Sequence, residues 1–309
     1  MTEHQSASAV MMVRPDSFGF DEQTAATNVF QHKTNQSQIL IQAEANHEFE
    51  ELVHVLQDHG VEVFIPKKDQ SETVKPNAVF PNNWLSMWPN GTIYLYPMAT
   101  ESRRCERSTE IINQLKEHYA VSKVIDISGI EVIRKYLEST GTMIFDHLQH
   151  SVYGCLSLRC NEELFRAHAQ ELGYDPIVFH ATDKQGRPIY HTNIMLAIQT
   201  STAIVCSTVV EDSQEKSNLL QFLDRSGRDI IDITPHQMAS YCANVLEVRN
   251  QEDEKFLIMS ERAYAAFTPE QLERITRDKT ILKTNIPTIE DIGGGGIRCM
   301  LAEIFLPRK

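Results

Sequence analysis

The feature that most constrains this chain is an internal repeat. Along its 309 residues one order of elements returns five times: strand, strand, helix, strand. The unit is clearest over residues 141–180. Residues 141–145, Gly-Thr-Met-Ile-Phe, read as an apolar strand, and 151–157, Ser-Val-Tyr-Gly-Cys-Leu-Ser, as a second. Residues 146–150 turn between them. A helix runs from Asn161, a residue type that caps helix N-termini, to Leu172, with Gly173 as its stop. Leu164, Phe165, His168 and Leu172 share one face of it. Residues 176–180 then form the third strand.

Further copies lie on both sides. Strands at 192–199 and 201–209 precede a helix at 213–225, which carries Leu219, Leu220 and Leu223, and a strand at 229–233. Strands at 244–248 and 255–259 precede a helix marked by a capping box from Thr268 to Gln271, with Pro269 at its first position, and a strand at 281–286. Upstream, 78–84 and 92–96 make the hairpin, Ile111, Ile112 and Leu115 mark the helix, and 123–127 is the strand. The N-terminal unit has a strand at 10–14, an apolar stretch near Ile39, a helix with Phe49, Leu52, Val53 and Leu56 on one face, and a strand at 61–65. This unit is one strand short, and the chain ends with a strand to spare at 299–305. If the two join, five α/β modules close into a ring and no sheet edge is left bare. Residues 1–309 are then expected to form a single domain. A doubly wound α/β sheet is the alternative, and the antiparallel hairpins count against it.

Charge narrows the function. The formal net charge is −13, which disfavours nucleic acid and anionic membranes as partners. No apolar run approaches the roughly 18 residues of a membrane span. The opening Met-Thr-Glu-His-Gln-Ser lacks the basic and apolar regions of a signal peptide. Six cysteines, at 105, 155, 160, 206, 242 and 299, show neither CxxC pairs nor zinc spacing. Reduced thiols in a cytoplasmic protein are the expectation.

The repeat also relates the reactive residues. Asn83, Glu138, His191, Asn244 and Cys299 recur at the opening of the first strand in their units, separated by 55, 53, 53 and 55 residues. Equivalent positions in a ring point at one axis, so a carboxylate, an imidazole, a thiol and two amides are expected to converge. Taken singly, each has a plainer reading. A buried cysteine is usually a small inert hydrophobe, and Cys105, Cys155, Cys160, Cys206 and Cys242 are read that way. An isolated histidine is more often a satisfied core residue, and Glu138 could cap or pair at a surface. Cys299 differs because four glycines precede it, a run that allows close backbone approach and offers amide N–H groups. The run is not a dinucleotide fingerprint, since no strand-GxGxxG-helix context accompanies it.

With these residues in view, the chain resembles the guanidino-group modifying enzymes, which include arginine deiminases, dimethylarginine hydrolases and amidinotransferases. The matching stretches are Met-Val-Arg-Pro at 12–15, Ala-Val-Phe-Pro-Asn-Asn-Trp at 78–84, Leu-Tyr-Pro-Met at 95–98, Arg-Arg-Cys-Glu-Arg at 103–107, Leu-Glu-Ser-Thr-Gly at 137–141, His-Thr-Asn at 191–193 and Gly-Gly-Gly-Gly-Ile-Arg-Cys-Met at 293–300. They resemble most the arginine deiminase-related, amidinotransferase-like branch that includes citrulline utilization hydrolases. The resemblance implies a five-bladed α/β propeller, the pentein fold. It also implies that Cys299 is the nucleophile, His191 the general acid/base and Glu138 its acidic partner. A thiolate can add to a resonance-stabilised guanidinium or ureido carbon and expel ammonia or an amine. A histidine can serve both half-reactions, and this chemistry calls for no metal and no organic cofactor.

Departures from the family pattern bear on the substrate. Many relatives carry Asp two residues after the histidine, where this chain has Asn193. Many carry Glu-Gly-Gly-Asp where it reads Glu138-Ser139-Thr140-Gly141, and often an acid where Asn82 and Asn83 stand. Carboxylates pair a cationic guanidinium, whereas an amide offers donor and acceptor to a neutral ureido group. A citrulline-like substrate is therefore expected over an arginine-like one, with Asn83, Asn193 and Asn244 as contacts; Glu138, with Asp146 as a further candidate contact, keeps a guanidino substrate as the alternative. A carboxylate anchor is expected among Arg14, Arg103, Arg104, Arg107 and Arg298. For Arg103 and Arg104, ion pairing with Glu101 and Glu106 is the competing role. The reading is a hydrolase of a small amino-acid-like molecule. An amidinotransferase with an amine acceptor, or a scaffold that binds without catalysis, are the alternatives. Nothing in the sequence marks an oligomer interface.

Overall fold

The computed structural model describes residues 4–68 and 73–309, so Met1 to Glu3 of the opening sequence lie outside it. Among the described residues there are five three-stranded sheets of one design: the first strand pairs antiparallel with the second, and the second pairs parallel with the third. Four sheets follow the chain in order. They are Leu85–Met87, Thr92–Leu95 and Lys123–Asp126; Ile144–Asp146, Ser151–Cys155 and Asp175–Phe179; Leu196–Ile198, Thr202–Val205 and Asp229–Asp232; and Leu246–Arg249, Lys255–Ser260 and Thr280–Thr284.

The fifth sheet closes the ring as expected. Ala302–Glu303, from the chain's end, pairs antiparallel with Ala9–Met11, setting Val10 opposite Glu303 and Met11 opposite Ala302. Ala9–Met11 then pairs parallel with Glu62–Phe64. The arrangement is the five-bladed α/β propeller, with neighbouring blades joined by single bridges such as Ala7 to Val248 and Met87 to Ile304.

Each crossover helix buries one apolar stripe on its sheet. Leu219 and Leu223, of Ser213–Arg225, pack with Ile204 and Ile231. Phe49, Leu52, Val53 and Leu56, of Gln38–Asp58, pack with Val10 and Ile258. Full burial of one such side chain stabilises the fold by about 1.5–3 kcal/mol. The caps fall where expected: the Asn161 side chain accepts Leu164 N, Gly173 closes Glu162–Leu172 at φ 80, and Thr268 and Gln271 form a reciprocal capping box.

One class of segment departs from expectation. Residues expected to begin the first strands form short helical turns instead: Pro81–Asn83, Ser139–Thr142, Thr192–Ile194 and Ile297–Met300, each followed by a short strand. Three of these turns are wholly buried and the fourth nearly so. At three or four residues they are too short to show a helical period, and each runs straight into the apolar strand that follows, so it reads as that strand's beginning. Residues 207–209 likewise leave the second strand of their blade for a turn, held by Asp232, which accepts from Ser207 N and Oγ. The apolar stretch near Ile39 opens the Gln38–Asp58 helix, with Ile39 exposed.

Candidate active site

The helical turns before the first strands are what build the polar cluster. Pro81–Asn83 lies against both Ser139–Thr142 and Ile297–Met300, and Ser139–Thr142 also touches Thr192–Ile194. The near-equal sequence gaps do not translate into one register. Asn82, Asn193 and Cys299 stand three residues ahead of their first strands, Asn83 and Asn244 two, His191 five and Glu138 six. A turn of helix winds through this difference, so residues at unequal offsets still meet.

Cys299 is buried, and two amides reach its sulfur. Asn244 Nδ2 donates to Sγ at 3.3 Å and Asn193 Nδ2 at 3.5 Å. Asn244 is placed by its own Nδ2 contact to the Asn193 carbonyl, and by its carbonyl, which accepts Arg298 N at 3.2 Å. The glycine run permits this approach: a Cβ on Gly296 would lie 2.8 Å from Asn244 Oδ1. Burial pushes the Cys299 thiol above its usual range, against the pull of the Asn244 and Asn193 amides and of Arg298. At rest it is a protonated thiol.

His191 and Glu138 form the second part. His191 Nε2 donates to Glu138 Oε2 at 2.7 Å. Glu138 Oε2 also accepts Arg159 Nη1 at 3.3 Å, and Oε1 accepts Ala99 N at 3.0 Å. Burial alone would raise the Glu138 carboxyl, but Arg159 and His191 hold it well below the usual carboxylate range. Burial dominates at His191 and pushes the imidazole below its ordinary value despite the neighbouring carboxylate. The resting pair is therefore a charged Glu138 and a neutral His191. With Nε2–H spent on Glu138, Nδ1 is the basic nitrogen.

Asn83 completes the cluster through Arg103. Arg103 Nη1 donates to Asn83 Oδ1 at 2.6 Å, and Nε and Nη2 clasp Glu106 at 2.8 and 2.7 Å. Four buried amide atoms here have no hydrogen-bond partner among the described residues: Asn82 Nδ2, Asn82 Oδ1, Asn83 Nδ2 and Asn193 Oδ1. Unpaired buried polar atoms are costly and point to a ligand that satisfies them.

Other expected contacts are engaged elsewhere. Asp146 does not face the cluster, because its carboxylate is taken by Arg228 Nη1 and Nη2 in a buried ion pair. Arg14 pairs with Glu50 and lies over the Phe49 ring. Arg104 and Arg107 both pair with Glu131, and Arg298 pairs with Glu303. Arg103 pairs with Glu106 as its competing role held, but in the interior and not on a solvated surface.

Arg159 is the residue that sequence reasoning missed. It is buried, stacks 4.8 Å from the Tyr190 ring centroid, and joins Glu138 to Thr27 through Nη2. It sits at no repeated position, and its one local signal is a lone charge in an apolar stretch. Among the described residues no cluster of His, Cys, Asp or Glu is arranged to hold a metal, and no helix is long and apolar enough to cross a membrane.

Comparison with known proteins bears on fold and family. No curated protein matches the chain. Among solved structures, it is similar to the N-terminal domain of ArgZ bound to substrate, an arginine dihydrolase from the ornithine-ammonia cycle in cyanobacteria. The TM-score is 0.73 at 14% identity, over 96% of this chain and 99% of that one. Unliganded AgrE gives a TM-score of 0.74 at 13% identity over 97% of this chain. The chain spans 40% of AgrE and of the longer ArgZ chain. DDAH from Pseudomonas aeruginosa, complexed with citrulline, gives 0.62 at 17% identity over 98% of this chain and 100% of that one. These likenesses establish the fold. The model of the family described as N,N dimethylarginine dimethylhydrolase, eukaryotic, matches residues 14–306. The ring, its closing strand and a match over nearly the whole sequence lead to one assignment: the chain belongs to the N,N dimethylarginine dimethylhydrolase family, among the guanidino-group modifying enzymes of the pentein fold.

Proposed function

We propose that this protein hydrolyses a C–N bond of a ureido amino acid, citrulline or a close analogue, through a covalent intermediate on Cys299. The observation that carries the reading is the thiol held by two amides in one cluster with a charged Glu138 and a neutral His191. In this reading residues 1–309 act as one catalytic unit. His191 Nδ1 takes the thiol proton as sulfur adds to the ureido carbon. The imidazolium then protonates the departing nitrogen, and ammonia leaves an S-carbamoyl cysteine. His191 next takes a proton from water, which adds to the same carbon. The C–S bond breaks, the thiol is regained, and the carbamic acid falls to an amine and carbon dioxide.

The amides favour a neutral substrate. Both Glu138 oxygens already accept hydrogen bonds, from Ala99 N, His191 Nε2 and Arg159 Nη1, so this carboxylate has less to offer a guanidinium than a free one would. The unpaired atoms, donors and acceptors alike, suit a group that carries both C=O and N–H. For the substrate's own carboxylate we propose Arg159, whose buried Nε has no hydrogen-bond partner among the described residues. A guanidino substrate is the second reading. It is favoured by the family match and by neighbours named for arginine and dimethylarginine chemistry.

The test is ammonia release from citrulline and from arginine, by wild type and Cys299→Ala, with and without glycine as an amine acceptor. Citrulline turnover that Cys299→Ala abolishes is expected. Turnover of arginine alone would overturn the ureido assignment, a new glycine-derived product formed without ammonia release would make the enzyme a transferase, and activity retained in Cys299→Ala would overturn the nucleophile.

A further inference from the structure

We infer that Arg103 is a positioning residue: it sets which way the Asn83 amide faces, and so requires an acceptor atom on the ligand at that point. The consequence for substrate choice rests on the hydrolase reading above; the orientation itself does not.

A guanidinium has N–H donors and no acceptor. The Asn83 atom that faces Arg103 Nη1 at 2.6 Å must therefore be its oxygen, and Nδ2 must turn the other way. A flipped amide would set N–H against N–H. Arg103 cannot swing aside to relieve that, because Glu106 clasps it from two sides and the Phe80 carbonyl accepts Nη2 at 3.0 Å. Arg103, Glu106 and Asn83 are all nearly inaccessible, so water offers no way out. With its N–H groups spent this way, Arg103 is poorly disposed to anchor a substrate carboxylate.

The freed donor points into the cluster. A Cβ built on Gly141 would stand 2.5 Å from Asn83 Nδ2 and 3.0 Å from His191 Nδ1, so both nitrogens border one small volume. Nδ2 has no partner among the described residues. A carboxylate at position 83 would place an acceptor there instead and call for a donor, as a guanidinium supplies. With Arg103 behind it, Asn83 calls for an oxygen, as a ureido group supplies.

The test separates orientation from function. In selectively ¹⁵N-labelled protein, the Asn83 side-chain NH₂ should show NOEs to Gly141 Hα and to the His191 ring. The double variant Arg103→Met/Glu106→Gln removes both buried charges together, so that neither is stranded, and it should lose those NOEs. Absence of the NOEs in wild type, or their persistence in the folded double variant, would overturn the inference. A second arm measures calorimetric Kd for citrulline and arginine in a Cys299→Ser background. The citrulline-to-arginine preference should fall about tenfold in the double variant and reverse in Asn83→Asp. Equal weakening of both ligands would mark Arg103 as merely structural. If neither ligand binds while the NOEs behave as stated, the hydrolase reading fails and the role of Arg103 in orienting Asn83 stands.

Discussion

His191 Nε2 lies 2.7 Å from Glu138 Oε2, and both side chains are sealed from solvent. The contact fixes the tautomer and leaves Nδ1 as the only nitrogen able to accept a proton. Burial holds the imidazole below its ordinary value, so the basic form is already dominant at neutral pH. Activity should fall only as pH drops through the folded-state value, on the acid side of the usual 6.5 or so for histidine. Glu138→Gln should cost about 10²–10⁴ in kcat. It should also move the acid limb lower still, because the carboxylate that favours the imidazolium is gone. A kcat/KM profile against pH checks both, and a wild-type acid limb at or above the usual histidine value would contradict the assignment.

The thiol should respond to its amides in the opposite sense. Asn244 Nδ2, 3.3 Å from Cys299 Sγ, stabilises the thiolate more than the thiol and lowers a value that burial has raised. Asn244→Ala should therefore shift the pH midpoint of iodoacetamide labelling at Cys299 upward relative to wild type. The other cysteines serve as internal references, read by mass spectrometry. An unchanged or lower midpoint would mean that Asn244 does not tune the thiol.

How much of this could be read beforehand depended on whether a feature had a local signature. The helix after Asn161 did, because an Asn cap and a Gly at φ 80 are chemical requirements of its two ends. Ring closure did too, as a strand count that came out one short at the start and one over at the end. The turns that aim the polar residues did not. Pro81–Asn83 and Thr192–Ile194 are only three residues long and wholly buried, so they carry no period. Charged residues were the least legible. Asp146 and Glu138 look alike in sequence and each meets a buried arginine, Arg228 and Arg159; what separates them is His191, which pairs with Glu138 from 53 residues away along the chain. Arg159 belongs to no repeated position and could not be reached by matching units.

The Asp146–Arg228 pair accordingly belongs to stability. Both side chains are buried, and Arg228 also reaches the Gln199 carbonyl and Gln5 Oε1. Gln5 in turn donates to the Phe145 carbonyl and accepts His147 N, so this ion pair helps stitch the N-terminal segment to two blades. Arg228→Met strands a buried carboxylate and should cost about 3–5 kcal/mol. The double variant Arg228→Met/Asp146→Asn should recover much of that loss. Urea denaturation of the three proteins measures it, and a single variant as stable as wild type would refute the role. Asp146→Asn alone should leave the citrulline-to-arginine preference unchanged, because its carboxylate does not face the cluster.

Glu290 makes the last prediction, because it ties stability to pH close to the nucleophile's loop. It lies in the π-helical turn Ile289–Gly293 that leads into the glycine run, and its backbone carbonyl accepts Tyr241 Oη at 2.9 Å. Its carboxylate pairs with Arg262 Nε at 3.0 Å. Burial nevertheless pushes the carboxyl up to about 7, against the pull of Ser260 and Arg262. The folded protein thus holds this proton more tightly than the unfolded chain does. That contribution is fully present below the unfolded value near 4.5 and is lost as pH climbs to about 7, for a total of about 3 kcal/mol. Glu290→Gln keeps the shape and removes the titration. At pH 8 the variant should melt above wild type, by about 1.5 °C for each kcal/mol recovered. At pH 5 the gap should close or change sign, since wild type is then protonated and keeps its own hydrogen bonds. Melting curves of the two proteins across that window decide the matter. A difference that does not change with pH, or that favours wild type at pH 8, would show that Glu290 is held as a charged partner of Arg262 and that its ion pair outweighs the cost of burying it.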